Sequence, residues 1–130
     1  MKIFNGKNAV LGRLASLAAK ESLKGEEIII LNCENILISG SKTNIKSKFL
    51  ELRQKGGHSQ KGPIHSIKIE KIVKRTIRGM LPNHRFGRGR QAFKRIKCYK
   101  GIPEEFKNKD MINFEKKKLP KYIKLESIGK

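Results

Sequence analysis

The chain contains 130 residues, of which 37% are hydrophobic and 32% are charged. This length favours a single domain over residues 1–130, and a chain of this size can bury a core without disulfides or metal ions. Lysine and arginine outnumber aspartate and glutamate by 31 to 11, so the net charge is +20. Because a compact chain with this charge repels itself, we expect a large polyanion as its normal partner.

The positive charge is concentrated in the middle of the chain. Residues 42–100 contain 18 of the 31 cations and only two acids, Glu51 and Glu70. A nucleic acid suits this region, because neutralising phosphates releases condensed counterions and so favours binding. An anionic membrane suits it less well, since the sequence has no long apolar run, no secretory segment and no lipidation motif. We therefore expect a cytoplasmic, nucleic-acid-binding protein with no membrane partner.

The cysteines and histidines give no metal-site pattern. Cys33 and Cys98 lie far apart in the sequence, without a C-x-x-C motif, and are interpreted as reduced, packed thiols. His58, His65 and His84 are scattered through loop-like sequence. A zinc site built from these residues is conceivable, but none of the usual ligand spacings is present. We expect no metal and no cofactor.

The N-terminal third has the pattern of a β-α-β unit. Residues 2–5 form a short strand candidate, residues 10–24 have helical periodicity, and residues 27–32 contain a buried-strand run, Ile-Ile-Ile-Leu. Asn8 is a candidate cap for the helix and Gly25 a candidate stop. The helix places Leu11, Leu14, Ala15 and Ala18 on one face and Arg13, Lys20 and Lys24 off that face. A unit of this length predicts a parallel strand pair with a right-handed crossover.

Further elements follow along the chain. In order, the sequence predicts a short apolar segment at 36–38, a helix at 42–55, a loop at 56–63, helices at 67–80 and about 88–97, and an edge strand at 122–125.

The predicted helix at 67–80 has an apolar stripe and a basic stripe. The apolar stripe contains Ile69, Ile72, Val73, Ile77 and Met80, and the basic stripe contains Lys71, Lys74, Arg75 and Arg78. An amphipathic helix with a solvated polar face is the plain interpretation. However, Glu70 is the only acid in the segment, and like charges three or four residues apart destabilise a free helix. A phosphate backbone would relieve this repulsion, so the stripe predicts contact with RNA or DNA.

A second basic cluster follows at residues 85–97. It contains Arg85, Arg88, Arg90, Lys94, Arg95 and Lys97, with Phe86 and two glycines among them. Arginine suits phosphate because its planar guanidinium can donate two parallel hydrogen bonds. Phe86 has two interpretations, a ring that stacks on an unpaired base or a hydrophobic anchor that holds the loop to the core.

Enzyme motifs are missing from the sequence. It has no P-loop, no G-x-G-x-x-G after the first strand and no H-E-x-x-H. Glu104 and Glu105 are adjacent and are interpreted as surface charge, and the histidines lack an acidic residue to orient them. We expect no catalytic residues and no small-molecule substrate.

Several motifs, in a fixed order, resemble one family. Residues 10–16 (VLGRLAS), 36–42 (ILISGSK), 62–63 (GP), 78–82 (RGMLP), 88–90 (RGR) and 99–103 (YKGIP) are similar to blocks of the large-subunit ribosomal protein thirteen family. The matches cover about residues 2–103, and their common order makes the resemblance specific. Residues 104–130 form a tail that matches less specifically.

This resemblance implies a fold and a role. The expected fold is α/β, with three layers (α/β/α) and a small, mainly parallel four-stranded sheet. The expected role is a structural one in the large ribosomal subunit, through binding of its ribosomal RNA and of neighbouring ribosomal proteins, without catalysis. Since the chain lacks the N-terminal extension typical of bacterial members, it resembles the archaeal and eukaryotic branch.

The resemblance also draws attention to the start of the first helix. Gly12 and Arg13 lie in its opening turn, where free backbone N–H groups favour an anion. For Gly12 the alternative is close packing of the helix on the sheet. The full set of candidate RNA contacts comprises Arg13, Lys42, Lys46, Lys71, Lys74, Arg75, Arg78, Arg85, Arg88, Arg90, Lys94, Arg95 and Lys97.

Two other functions fit parts of the sequence. A DNA-binding chromatin protein would share the high positive charge, and a preference for structured RNA over duplex DNA at equal salt would distinguish the two. A nucleotide-binding enzyme on a doubly wound sheet would share the β-α-β unit, and a nucleotide-binding assay would test it.

Overall fold

A computed structural model describes residues 1–55, 62–115 and 118–129 of the chain. The predicted loop at 56–63 lies mostly outside these residues. In chain order the elements are β1 (Lys2–Asn5), α1 (Leu11–Leu23), β2 (Ile28–Leu31), β3 (Leu37–Ser39), α2 (Lys42–Gln54), α3 (Ile69–Met80), α4 (Gly87–Lys94), β4 (Ile96–Cys98) and β5 (Tyr122–Lys124). Short 3-10 turns lie at Cys33–Asn35, Glu104–Phe106 and Leu125–Ser127.

The main sheet is parallel and has the strand order β1-β2-β4. Lys2 pairs with Ile28 at one edge of β2, and Ile28 pairs with Ile96 at the other. All four residues of β2 are buried, as expected for a central strand that is covered on both faces. The predicted α/β class, the mainly parallel sheet and the parallel pairing within the β-α-β unit are therefore confirmed.

The described strands do not form a single four-stranded sheet. Strand β3 pairs antiparallel with β5, with Ile38 opposite Ile123, and makes a separate two-stranded sheet. Strand β3 also makes one isolated parallel bridge, between Leu37 and Val10, and Val10 lies outside the strands of the main sheet. The outer edge of β1 is occupied by Ile112, which bridges to Phe4 and hydrogen-bonds with the backbone of Ile3 and Asn5. The prediction of an edge strand near 122–125 is confirmed.

The larger core lies between the main sheet and α1 and α3. Phe4, Leu14, Ile30 and Ile77 are among its buried residues. A smaller cluster on the other face of the sheet packs Ile3, Ile29 and Leu31 against Phe106. Because Phe106 lies in a 3-10 turn, that face is covered by irregular chain where the expected three-layer arrangement has α-helices.

Two helix ends differ from the sequence prediction. Helix α1 starts after Val10 without a side-chain cap, and Asn8 instead occupies a left-handed turn with φ 63°. Gly25 follows the helix with φ 103°, as predicted for a stop. The helix predicted at 88–97 ends at Lys94, because the buried Ile96 enters the sheet beside Ile28 as part of β4.

Candidate nucleic-acid interface

Helix α3 separates apolar and basic residues as its sequence predicts. Ile69, Ile72, Val73 and Ile77 are buried, and they attach the helix to the core. Met80 was expected in the same stripe but is 44% exposed, since it occupies the last turn of the helix. The separation leaves the basic side of α3 facing away from the core.

The four cations of the α3 stripe line one groove. This groove has a volume of about 550 Å³ and runs beside residues of α2, α3, α4 and the segment before α3. Its wall contains Lys71, Lys74, Arg75, Arg78, Phe49, Leu52, Ile64, His65 and Phe93, among others. We call it the α3 groove. Its cationic and aromatic side chains together suit a ligand that has both phosphates and aromatic rings.

Two of these cations are held in place by uncharged groups. Arg75 Nη1 donates to the carbonyl oxygen of Ile64 at 2.9 Å, and Lys74 Nζ lies 4.9 Å from the centroid of the Phe93 ring. A hydrogen bond to a carbonyl and a cation–π contact orient a side chain without neutralising its charge. Both positive charges therefore remain available to an anion.

His65 contributes little positive charge to the α3 groove near neutral pH. Burial lowers the pKa of its imidazole below the ordinary 6.5, and the positive charges of Arg75 and Lys55 lower it further. The groove therefore owes its positive charge to its lysine and arginine side chains.

The second basic cluster surrounds α4. Arg85, Arg88, Arg90, Lys94 and Lys97 are all exposed. Gly89 fits α4 against the turn before it, since a Cβ atom at this position would lie 2.5 Å from the carbonyl oxygen of Asn83. This close packing gives the exposed arginines a fixed support.

Arg95 differs from the other residues of this cluster. Its Nη1 donates to the carbonyl oxygen of Ser22 at 3.1 Å, near the C-terminal end of α1. The guanidinium therefore satisfies a helix-end carbonyl and joins α1 to the start of β4. Sequence alone could not separate this scaffold contact from the phosphate contacts predicted for its neighbours.

The remaining candidates lie on other helices. Arg13 is exposed at the start of α1, while Leu14 beside it is fully buried, which confirms the predicted faces. A Cβ atom at Gly12 would have no atom within 4 Å, so close packing does not explain this glycine. Lys42 and Lys46 are exposed on α2.

Lys121 is a cation that the sequence interpretation did not select. With Lys42, Thr43 and Tyr122 it lines a second concavity of about 460 Å³. The β3–β5 pairing brings the chain near residue 121 beside the start of α2. No local pattern signals this contact, because its two sides are about eighty residues apart in sequence.

Cations near the start of β1 and the end of α1 are paired with acids. The buried carboxylate of Glu21 accepts hydrogen bonds from Lys2 Nζ and, at 2.8 Å, from Lys24 Nζ. Hydrogen bonds from these two ammonium groups lower the pKa of Glu21 from 4.5 to about 2. The N-terminal amine pairs with Glu26 at 3.0 Å. None of the ion pairs found in the described ranges involves a cation from residues 71–100.

The fold brings the two cysteines together. Cys33 N donates to Tyr99 O at 3.2 Å, and Cys98 pairs in register with Ile30. The pKa of the Cys33 thiol is raised above its ordinary value, first by its interaction with Cys98 and second by burial. Both thiols are free. Across residues 1–55, 62–115 and 118–129, no group of three metal-binding side chains forms, and no helix is long and apolar enough to cross a membrane.

Comparison with known proteins gives consistent matches. The sequence model for "Ribosomal protein L13" matches residues 1–105. A large ribosomal subunit protein uL13 from Methanocaldococcus jannaschii is 39% identical, with 100% of this chain and 96% of that protein aligned. The uL13 of Methanosphaera stadtmanae is 37% identical over 98% of this chain and 94% of its own length. The uL13 of Methanopyrus kandleri is 46% identical over 101 residues, which cover 78% of this chain and 62% of that longer protein.

Proposed function

We propose, from the premise that this chain belongs to the ribosomal protein L13 family, that it is a structural component of the large ribosomal subunit in the cytoplasm. The relatives are archaeal ribosomal proteins and not enzymes, so the family confirms the resemblance, the archaeal type and the non-enzymatic role. In this proposal the chain binds ribosomal RNA and neighbouring ribosomal proteins and supports subunit assembly and translation. Residues 1–130 act as one domain.

The observation that carries the RNA-binding proposal is the lack of acidic partners in the basic region. The sequence has no aspartate or glutamate between Glu70 and Glu104, and that stretch contains eleven cations. Lys71, Lys74, Arg75 and Arg78 line one groove and have no carboxylate within 4 Å among the described residues. Placing like charges together costs free energy, and a phosphate backbone supplies the missing counter-charge.

The surface we propose for RNA extends beyond the α3 groove. Exposed cations of the 85–97 cluster continue from it, because Phe93 of α4 contacts Lys74 of α3. Arg13, Lys42 and Lys46 are proposed as further contacts on separate helices. Phosphate contacts of this kind position a protein on RNA without reading its sequence. Specificity for one ribosomal site then rests on the shape of the RNA and on contacts to unpaired bases.

The first experiment compares two variants with equal loss of charge. One replaces Lys71, Lys74, Arg75 and Arg78 with alanine, and the control replaces Lys7, Lys20, Lys107 and Lys118, which are exposed outside the groove. Binding to a structured ribosomal RNA fragment is titrated at several salt concentrations. The slope of log K against log salt should decrease in magnitude by about 0.7–0.9 for each lost phosphate contact in the groove variant. The control should change it much less.

Two further measurements complete the test. Circular dichroism melts establish that both variants fold, since Lys74 also contacts Phe93. Binding to duplex DNA at the same salt tests the chromatin-protein alternative, and we expect structured RNA to bind more tightly. Equal slopes for the groove variant and its control would reject the α3 groove as the RNA surface. Failure of the tagged wild-type chain to co-sediment with the large subunit after a high-salt wash would reject the proposed role.

A further inference from the structure

Phe86 is the one exposed phenylalanine of the chain. The sequence contains six phenylalanines, all within the described ranges. Phe4 and Phe106 are buried, Phe49, Phe93 and Phe114 are partly buried, and the Phe86 side chain is 68% exposed. The hydrophobic-anchor interpretation of this residue is therefore wrong, because the ring does not reach the core. An aromatic ring held in water in a folded protein has unused stacking surface.

The backbone around Phe86 fixes where the ring stands. Phe86 is the extended residue that precedes α4, and Gly87 after it has φ 66°, in the left-handed region that glycine adopts without strain. Two residues further, Gly89 packs against the carbonyl of Asn83. These contacts fix the backbone at the start of α4, and this backbone conformation directs the Phe86 ring towards solvent.

The charges around the ring identify the chemistry of its partner. Arg85, Arg88 and Arg90 are exposed, and none of them has a carboxylate within 4 Å in the part of the chain that the structure describes. An apolar protein partner would require these guanidinium groups to lose water without compensation. An RNA strand supplies a phosphate on either side of every base, which matches a ring flanked by arginines.

We infer that Phe86 stacks on an unpaired base of the bound RNA while the neighbouring arginines hold the flanking phosphates. This inference rests on the proposed RNA-binding function and adds a specific contact to it. The base must be unpaired, because bases within an A-form helix are stacked on each other and closed to a side chain. A bulge, loop or helix end in the RNA therefore lies at the start of α4.

The test uses two RNA duplexes that differ in one group. The first carries a single bulged adenosine, and the second has the same bulge with an abasic residue, so that the phosphates are identical. Four proteins are compared: the wild type, Phe86→Leu, Phe86→Tyr and Leu23→Ala. Leu23→Ala is the matched control, since Leu23 is an exposed apolar residue at the far end of α1, beside the acid-paired cations.

The expected result is a base-dependent loss of affinity. The wild type should bind the adenosine bulge roughly tenfold more tightly than the abasic bulge, as one base–aromatic stack provides. Phe86→Tyr and Leu23→Ala should keep this preference, while Phe86→Leu should bind both duplexes equally. The salt slope of Phe86→Leu should equal that of the wild type, because no phosphate contact is removed.

The outcomes separate this inference from the proposed function. If the wild type binds neither duplex in a salt-dependent manner, the RNA-binding function itself fails, and this inference with it. If salt-dependent binding is present but Phe86→Leu retains the preference for the adenosine bulge, only the stacking role is overturned. The same holds if the wild type shows no preference, and Phe86 would then be assigned to an apolar contact with a neighbouring protein.

Discussion

Two groups of cations in this molecule differ in the partners that orient them. At the start of β1 and the end of α1, Lys2 and Lys24 share one carboxylate, that of Glu21, and the N-terminal amine pairs with Glu26. In the α3 groove, Lys74 and Arg75 contact a ring and a carbonyl, which leave their charges unneutralised. The difference teaches that basic residues in one chain differ in how far the fold neutralises their charge. The RNA surface we propose therefore rests on the absence of nearby acids and on the contacts that orient the side chains, and not on the number of cations.

The largest expected effect tests whether the apolar face of α1 is scaffold while its exposed face binds RNA. Leu14→Asp should unfold the chain, because it places an unpaired charge between α1 and the sheet at a cost of several kcal/mol. Arg13→Ala, one residue away on the exposed face, should leave the melt nearly unchanged and weaken RNA binding. Circular dichroism melts and RNA titrations measure both effects. Similar melts for the two variants would contradict the assignment of opposite faces.

The next effect concerns the support of the basic surface. Gly89→Ala should destabilise the protein by about 1–3 kcal/mol, because the added methyl group meets the Asn83 carbonyl and forces α4 to move. Gly12→Ala is the matched control, since the space around it is open and alanine favours a helix by up to about 1 kcal/mol. Thermal melts compare the two variants. A Gly89→Ala protein that melts no lower than Gly12→Ala would show that α4 does not depend on this close approach.

A third effect concerns acid. The pKa of Glu21 is lowered from 4.5 to about 2, so its ionised form favours the folded state above about pH 4.5. That contribution is lost as the pH falls from 4.5 towards 2. Urea unfolding at several pH values measures the free energy of unfolding. Between pH 4.5 and 2 this free energy should fall less for Glu21→Gln than for the wild type. Glu51→Gln, which removes an exposed carboxylate 3.9 Å from Lys55, should leave the wild-type profile in place. Identical profiles for wild type and Glu21→Gln would mean that the Lys2–Glu21–Lys24 cluster does not support folding.

The smallest expected effect concerns the two thiols. Replacing Cys33 and Cys98 together with alanine should leave RNA affinity within a few-fold of wild type, because neither thiol belongs to the basic surface. Some stability should be lost at the buried Cys33 position, at a cost on the order of 1 kcal/mol. RNA titration and a thermal melt measure the two quantities. Stoichiometric zinc in protein purified without added metal, lost together with RNA binding in the double variant, would overturn the prediction that function needs no metal.

Sequence patterns predicted the elements whose signals are local. The β-α-β unit, the buried face of α3 and the stop at Gly25 each follow from periodicity or from one residue's conformational preference. The family resemblance added the fold class. Local signals also determined which cations share the α3 stripe, because three- and four-residue spacing fixes a helix face.

The features that were missed depend on contacts between distant parts of the chain. Strand β3 pairs with β5 across more than eighty residues, and Cys33 meets Cys98 only after β4 joins the sheet. Arg95 belongs to the same basic cluster in sequence as Arg90, yet its guanidinium donates a hydrogen bond to the carbonyl oxygen of Ser22. The end of α4 was placed too late because a three-residue strand is too short to give a periodic signal. For Phe86, the exposed fraction of the residue excludes the hydrophobic-anchor interpretation, and the sequence does not supply that fraction.

The β3–β5 pairing has a consequence for the order of events during synthesis. Ile123, Leu125 and Ile128 complete the larger core around Ile36, yet they are translated well after the whole basic region. Chains emerge at about 5–20 residues per second, so the half-built protein spends seconds with open apolar surface and bare cations together. That combination favours non-specific capture of nearby RNA and self-association. Synthesis of residues 122–128 therefore separates two stages. Before it, the nascent chain binds RNA and other chains non-specifically; after it, the core is complete and the cations lie on a folded surface.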